Sequence, residues 1–409
     1  MSLDLTAFDA ALKEHYTDEA VMNEVYKDNP LLAMVSKMED FGGRNLPIPL
    51  IYGNPQGRSA TFQNAQARGL ATSSLIEQFT LTRVKDYSIA VIDNETLEAS
   101  KGNANAFMEA ATTEIDGAIN SLSRSIAIKM YSDGFGSIGQ VSSPGASTTL
   151  TLTNSSQITN FEVGQALVFS ASAGANTLRS SGAALYVTAV NRTAGTLTVN
   201  VNVNSIAGIT DLDYIFIQGD RQDSATPSRL CLAGLEAWIP ASTPTSTSFF
   251  GVDRTVDTTR LGGQRYDGTG KPIEEILVDG AANVAREGGK LTDYFMNYTT
   301  YASLEKSLGS KVMYVDLKVN ADVAFRGIMI NGPRGPINCI PDQNCPSNRI
   351  FGLSLPMWKL YSLGKAVRVI DTDGLQMLRQ ATADGVEVRY GMYGNLGCKA
   401  PAYNINIQI

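Results

Sequence analysis

Histidine is nearly absent from this chain of 409 residues: His15 is the single example. That scarcity removes most Ser-His and Cys-His chemistry, and neither a GxSxG nor an HExxH pattern occurs. Cysteine is also sparse. Cys231, Cys339, Cys345 and Cys398 are scattered without a CxxC pair, which points to a reduced, intracellular place of synthesis. Cys339 and Cys345 flank Pro341-Asp-Gln-Asn344, but a metal site needs further ligands and no histidine is near, so both are expected to be loop cysteines without a role. No apolar run of about 18 residues exists, so no membrane span is expected. The start lacks a basic stretch followed by an apolar one, so no secretory signal is expected. The net charge of −7 provides no concentration of Lys and Arg for tight general DNA binding, although a protein can enclose nucleic acid without gripping it. Carboxylates such as Glu274, Glu275, Asp371 and Asp373 show no spacing that selects an acid/base pair. The expectation is a chain with no catalytic residues, no cofactor and no metal.

A hydrophobic fraction of 43% and this length suit a globular protein of two or three domains. The strongest periodic signal lies at 95–131. Met108, Ala111, Ile115, Ile119, Leu122, Ile126 and Met130 recur at the spacing of one helix face. Asp93 or Asn94 is placed to cap the start, Glu95 and Glu98 suit the first turn, and Asp133-Gly134 gives a stop. Such a helix spans about 55 Å.

A long arm precedes it. Asn45-Leu-Pro-Ile-Pro-Leu-Ile-Tyr-Gly-Asn54 reads as a proline-punctuated edge strand, and Pro55-Gln-Gly57 as a turn. Residues 59–74 are polar apart from Phe62 and Leu70. Residues 76–92 alternate again through Phe79, Leu81, Val84, Tyr87, Ile89 and Val91. The pattern predicts a hairpin with a long polar tip, which has little core of its own and edges that invite another chain. Residues 1–41 read as an amphipathic, helical strap carrying Phe8, Leu12, Val21, Val25, Leu31, Leu32 and Val35, interrupted at Asn29-Pro30. His15 is expected to be a solvated residue there.

After the helix the composition changes. Between Gly139 and Thr210 the only charges are Glu162, Arg179 and Arg192. Alternating stretches at 148–153, 165–170, 184–190, 196–203 and 213–218, separated by glycines, predict an inserted small β-barrel or sandwich at 138–222. Gly134-Phe-Gly-Ser-Ile-Gly139 has the spelling of a dinucleotide loop, but it follows a helix and runs into a β-module, so it reads as a glycine-rich helix exit. The remainder alternates helices (272–288, 299–308) with strands (293–297, 311–319, 326–330, 337–340, 349–355, 367–370, 386–394, 404–409), with a tight turn at 331–336.

In that order of parts the sequence resembles the major capsid proteins of tailed bacteriophages. The segments Gly234-Leu-Glu-Ala-Trp-Ile-Pro240, Asp293-Tyr-Phe-Met-Asn-Tyr-Thr-Thr-Tyr301, Cys345-Pro-Ser-Asn-Arg-Ile-Phe-Gly-Leu353 and Tyr390-Gly-Met-Tyr-Gly-Asn-Leu-Gly-Cys-Lys-Ala-Pro401 look like segments of that family. The resemblance covers nearly all of the chain except 138–222.

It implies an α+β tailed-phage capsid fold with an N-terminal arm (1–41), an extended loop (42–92), a spine helix on a peripheral domain (93–137), the inserted β-domain (138–222), and an axial domain with the remaining peripheral strands (223–409). It further implies self-assembly as hexamers and pentamers into an icosahedral virion shell around double-stranded DNA, with scaffold, portal and decoration proteins as partners. Arg58, Phe62 and Arg68 near the loop tip are the candidate contacts on an adjacent subunit. Some relatives cross-link a loop lysine to a neighbour, and 42–83 holds no lysine, so that bond is not expected here. An encapsulin-like compartment shell resembles the same fold. A tail-fibre subunit leaves the long helix unexplained, and an intracellular enzyme has no coherent site.

Overall fold

The computed structural model describes residues 28–93, 104–245, 248–308, 314–320, 323–371, 377–380 and 384–409. The predicted strap residues Phe8, Leu12, Val21 and Val25, and His15, lie outside these. What is described of 1–41 is not one helix. Helix α1 (Pro30–Met34) is followed by strand β1 (Ser36–Met38). Pro30 begins α1, since the first helical position needs no N–H partner.

The long helix α3 runs Ala104–Tyr131, 28 residues and about 42 Å. The predicted start at 95 and the cap at Asn94 lie outside the described residues, as do the side chains of Met108 and Ala111; Asp93 ends a strand instead. Ile115, Ile119, Leu122, Ile126 and Met130 are all buried, as the spacing requires.

That helix packs on a sheet built around the long strand β20 (Gly385–Cys398). Its order is β1, β17 (Trp358–Ser362), β20, β18 (Arg368–Val369), with β4 (Val84–Asp93) and β19 (Met377–Arg379) also paired to β20. The second leg of the arm therefore divides. Its first part, β3 (Leu75–Thr82), pairs antiparallel with β2 (Asn45–Gly53) to make the hairpin, while β4 leaves at Arg83 and joins β20 over its whole length. Pro47 and Pro49 stand two residues apart in β2, so their missing N–H groups fall on the same unpaired edge.

The predicted polar tip is a helix, α2 (Phe62–Ala71). Ala, Gln, Arg and Leu are good helix formers and offset Gly69, and Thr61 turns the chain in from extended backbone.

The β-module is a closed six-stranded barrel, order β10-β5-β6-β9-β8-β7, using β5 (Ser137–Ser143), β6 (Thr149–Leu152), β7 (Ala166–Ser170), β8 (Leu185–Asn191), β9 (Thr196–Val199) and β10 (Tyr214–Ile217). Its core is its own: Val141, Leu150, Phe161, Leu167, Phe169, Leu185, Leu197 and Ile215. Strand β5 escaped the sequence reading, because Ser137-Ile-Gly-Gln-Val-Ser-Ser143 has few β-formers.

The last unit is a seven-stranded mixed sheet, order β11-β21-β16-β12-β15-β14-β13. It comprises β11 (Gln264–Asp267), β12 (Asp293–Met296), β13 (Tyr314–Asn320), β14 (Val323–Gly332), β15 (Gly335–Pro341), β16 (Arg349–Leu353) and β21 (Ile405–Gln408). Helix α5 (Ile273–Arg286) packs with α6 (Tyr298–Leu308), and α5 buries Ile276, Leu277 and Val284 in the same core as Tyr294, Ile405 and Ile407. The cysteine expectation is corrected here. Cys339 is not a loop residue but lies inside β15, and all four cysteines are buried free thiols.

Candidate assembly surface

The four family-like segments converge in the interior. Helix α4 (Leu235–Trp238) carries the fully buried Trp238, whose indole Nε1 donates to the Leu396 carbonyl at 3.0 Å. Strand β12 pairs β16 antiparallel, from Asp293 opposite Leu353 to Met296 opposite Ile350. Their shared texture is therefore core packing. Function is to be sought on what they leave outside.

The arm is gripped at its base. Ile48, Phe79 and Leu81 are buried in the main core. Phe79 sits edge-on to both Trp238 and Phe249, and the Arg254 guanidinium lies 4.0 Å over the Phe249 ring. Hydrogen bonds to backbone carbonyls complete the grip. Thr80 donates to the Phe250 carbonyl (2.8 Å), Arg83 to the Phe41 carbonyl (2.7 Å), Asn395 to the Thr82 carbonyl (2.8 Å) and Arg260 to the Tyr52 carbonyl (2.6 Å).

Beyond that base, from Pro49 to Gln78, no residue is buried. Phe62 is 83% exposed and Leu70 85%, and Ile51, Leu75 and Ile76 are exposed with them. The predicted contacts fall here. Phe62 opens α2, Arg68 lies in its last turn, and Arg58 precedes it; all three are exposed. Residues 54–76 carry these two arginines and no carboxylate, so the tip is polar and basic around the exposed Phe62 and Leu70. Leu70 belongs with the candidates and was not singled out from the sequence, although it is the other large apolar residue of the polar stretch. A second apolar strip lies on the outer face of β4, where Tyr87, Ile89 and Val91 are each about half exposed.

A cleft of about 450 Å³ separates the barrel from the body. The barrel is tied to the body by an Arg124–Glu162 ion pair, by Asn154 donating to Ser347 (3.2 Å) and by a Ser156–Ser347 hydroxyl contact (2.7 Å). Asp133 and Glu236 line the cleft. Burial raises both carboxyls above the usual range, and the charge of Asp133 adds to the effect on Glu236. Among the described residues no three His, Cys, Asp or Glu side chains are grouped to hold a metal ion, and no helix is long and apolar enough to cross a membrane. Gly134 and Gly136 of the dinucleotide-like spelling have φ of +86° and +85° and turn the chain from α3 into β5.

The family model described as SU10 major capsid protein matches residues 170–399, more than half of the chain. The chain belongs to that family. It is a major capsid protein, a structural component of the phage head shell and not an enzyme. Its fold is α+β and phage capsid-like, with a small closed barrel. The matched span starts at the end of β7 and excludes the arm and α3.

Among solved structures it is similar to the cyanophage A-1(L) capsid asymmetric unit, at 11% identity over 93% of this chain and 92% of that one, TM-score 0.45. It is also similar to the Mycobacterium phage Ogopogo structure (9%, 93% and 92%, TM-score 0.42) and to the virus-like particle from Pyrococcus furiosus (9%, 95% and 96%, TM-score 0.39). No curated protein matches the sequence.

Proposed function

We propose that this capsid protein assembles as hexamers and pentamers, each copy laying its arm on a neighbour, into an icosahedral shell that encloses double-stranded DNA without reading its sequence. The observation that carries this reading is the arm itself, a gripped base and a tip of exposed Phe62 and Leu70 with no core to serve. A tip on one copy and a different acceptor on the next make a heterologous contact, the kind that closes into rings when the rotation allows. Burying Phe62 and Leu70 would contribute roughly 1.5–3 kcal/mol each. Arg58 and Arg68 would add orientation against carboxylates more than energy.

In this reading α3 with the β20 sheet forms the peripheral domain and the seven-stranded sheet the axial domain. The net charge of −7 suits a lining that does not grip DNA. A scaffold protein, a portal and decoration proteins would be the other partners.

Sedimentation velocity and negative-stain microscopy of the purified chain test the reading, beside a Phe62→Asp/Leu70→Asp variant. Rings or closed shells from the natural sequence and folded single subunits from the variant are expected. A natural chain that stays monomeric even with a phage scaffold, or a variant that assembles equally well, would overturn it.

A further inference from the structure

We propose that Lys129 is a charge clamp that couples the arm's return strand to the barrel. The ammonium lies in the last turn of α3, with its side chain 8% exposed. It sits 3.0 Å from Asp86 Oδ2 and 3.1 Å from Asp220 Oδ2. Asp86 belongs to β4, the strand by which the arm returns to the body. Asp220 follows β10, where the chain leaves the barrel. Ser125, one turn earlier on α3, donates to the same Asp86 oxygen at 2.8 Å. The Cys231 thiol donates to the Asp220 carbonyl at 3.4 Å, which ties in the segment that leads to α4. Three parts of the molecule that are far apart in sequence thus share one buried cation.

The arrangement is more than three contacts side by side. Two carboxylates that face each other repel, and the ammonium between them turns that repulsion into a joint attraction. A lysine also loses rotamer freedom when it is held, and once one carboxylate holds it the other meets it already ordered. Binding at one side therefore favours binding at the other. By reciprocity, a change at the arm strand alters the barrel exit as much as the reverse. The Arg124–Glu162 pair and the Ser347 contacts attach other points of the barrel to the body, but neither touches the arm. This coupling is a property of the single subunit and stands whether or not the arm docks on a neighbour.

Hydrogen exchange on the full chain tests it, with Asp220→Asn and Asp86→Asn as separate variants. Each neutralises one side while preserving side-chain size. The clamp predicts that Asp220→Asn raises exchange in β4, and that Asp86→Asn raises exchange at the barrel exit around Asp220, each by about fivefold or more. It also predicts that the double variant changes less than the product of the two single effects. Effects confined to the side that carries the change, or strict additivity, would overturn it. Lys129→Met serves as a third variant, in which both segments should loosen together if the protein folds.

Discussion

The Phe79 ring meets the Trp238 indole edge-on, with centroids 5.0 Å apart and planes at 68°. This one contact joins the arm to the interior of the family-like core, because Trp238 is itself packed against Phe249 and Trp358. Phe79→Ala should cost about 3–5 kcal/mol of stability, read from the urea midpoint. It should also raise hydrogen exchange in β3, since Thr80 donates to the Phe250 carbonyl beside it.

Among the described residues Arg58 and Arg68 make no ion pair, and they supply all the charge of residues 54–76. Reversing both to Glu should leave the unfolding midpoint of the subunit within about 0.5 kcal/mol of the parent. It should weaken assembly most at low salt, where unscreened charges count. A light-scattering assembly titration against ionic strength checks this, and equal assembly of both proteins at every salt concentration would refute the role given to the arginines.

Gly234 packs directly on the end of α3. A Cβ placed there would lie 2.3 Å from the Lys129 carbonyl and 2.4 Å from that of Met130, both backbone atoms that cannot swing aside. Gly234→Ala should therefore destabilise the subunit by about 1–3 kcal/mol. The thermal midpoint is the readout.

Glu236 supplies a pH test. Burial first, and then the charge of Asp133, raise its carboxyl above the ordinary value of 4.5, with Arg349 opposing. A raised folded-state pKa means that the folded protein binds the proton more tightly than the unfolded one. This group's contribution to stability is therefore lost as pH rises from about 4.5 through the folded value. Glu236→Gln should stabilise the protein at pH 7, and the gain should vanish below pH 4.5. Thermal melts across that range check the sign.

Much of this architecture was legible because it rests on local period. Ile115, Ile119, Leu122, Ile126 and Met130 announce one buried helix face, and the Thr/Val/Leu alternation announces the barrel strands. What stayed hidden depends on distant partners or on weak local signals. Nothing near Val84 says that β4 leaves the hairpin, because its partner in β20 lies about 300 residues further along. Residues 62–71 read as polar because an exposed helix on an arm has no apolar face to reveal its period. Strand β5 looks like a loop until a barrel needs a sixth strand to close. On the arm tip, composition singles out Arg58, Phe62 and Arg68, all of them exposed, whereas the equally exposed Leu70 was not selected. The Lys129 clamp could not be read at all, since Asp86 and Asp220 lie far from it in sequence.

The most direct test of the central claim is cryo-electron microscopy of shells assembled from this chain, examined at helix α2. Docking of the arm requires density for Phe62 and Leu70 buried against an adjacent copy, with Arg58 or Arg68 facing carboxylates there. Shells in which Phe62 and Leu70 remain in solvent, with subunits joined only through other surfaces, would contradict it.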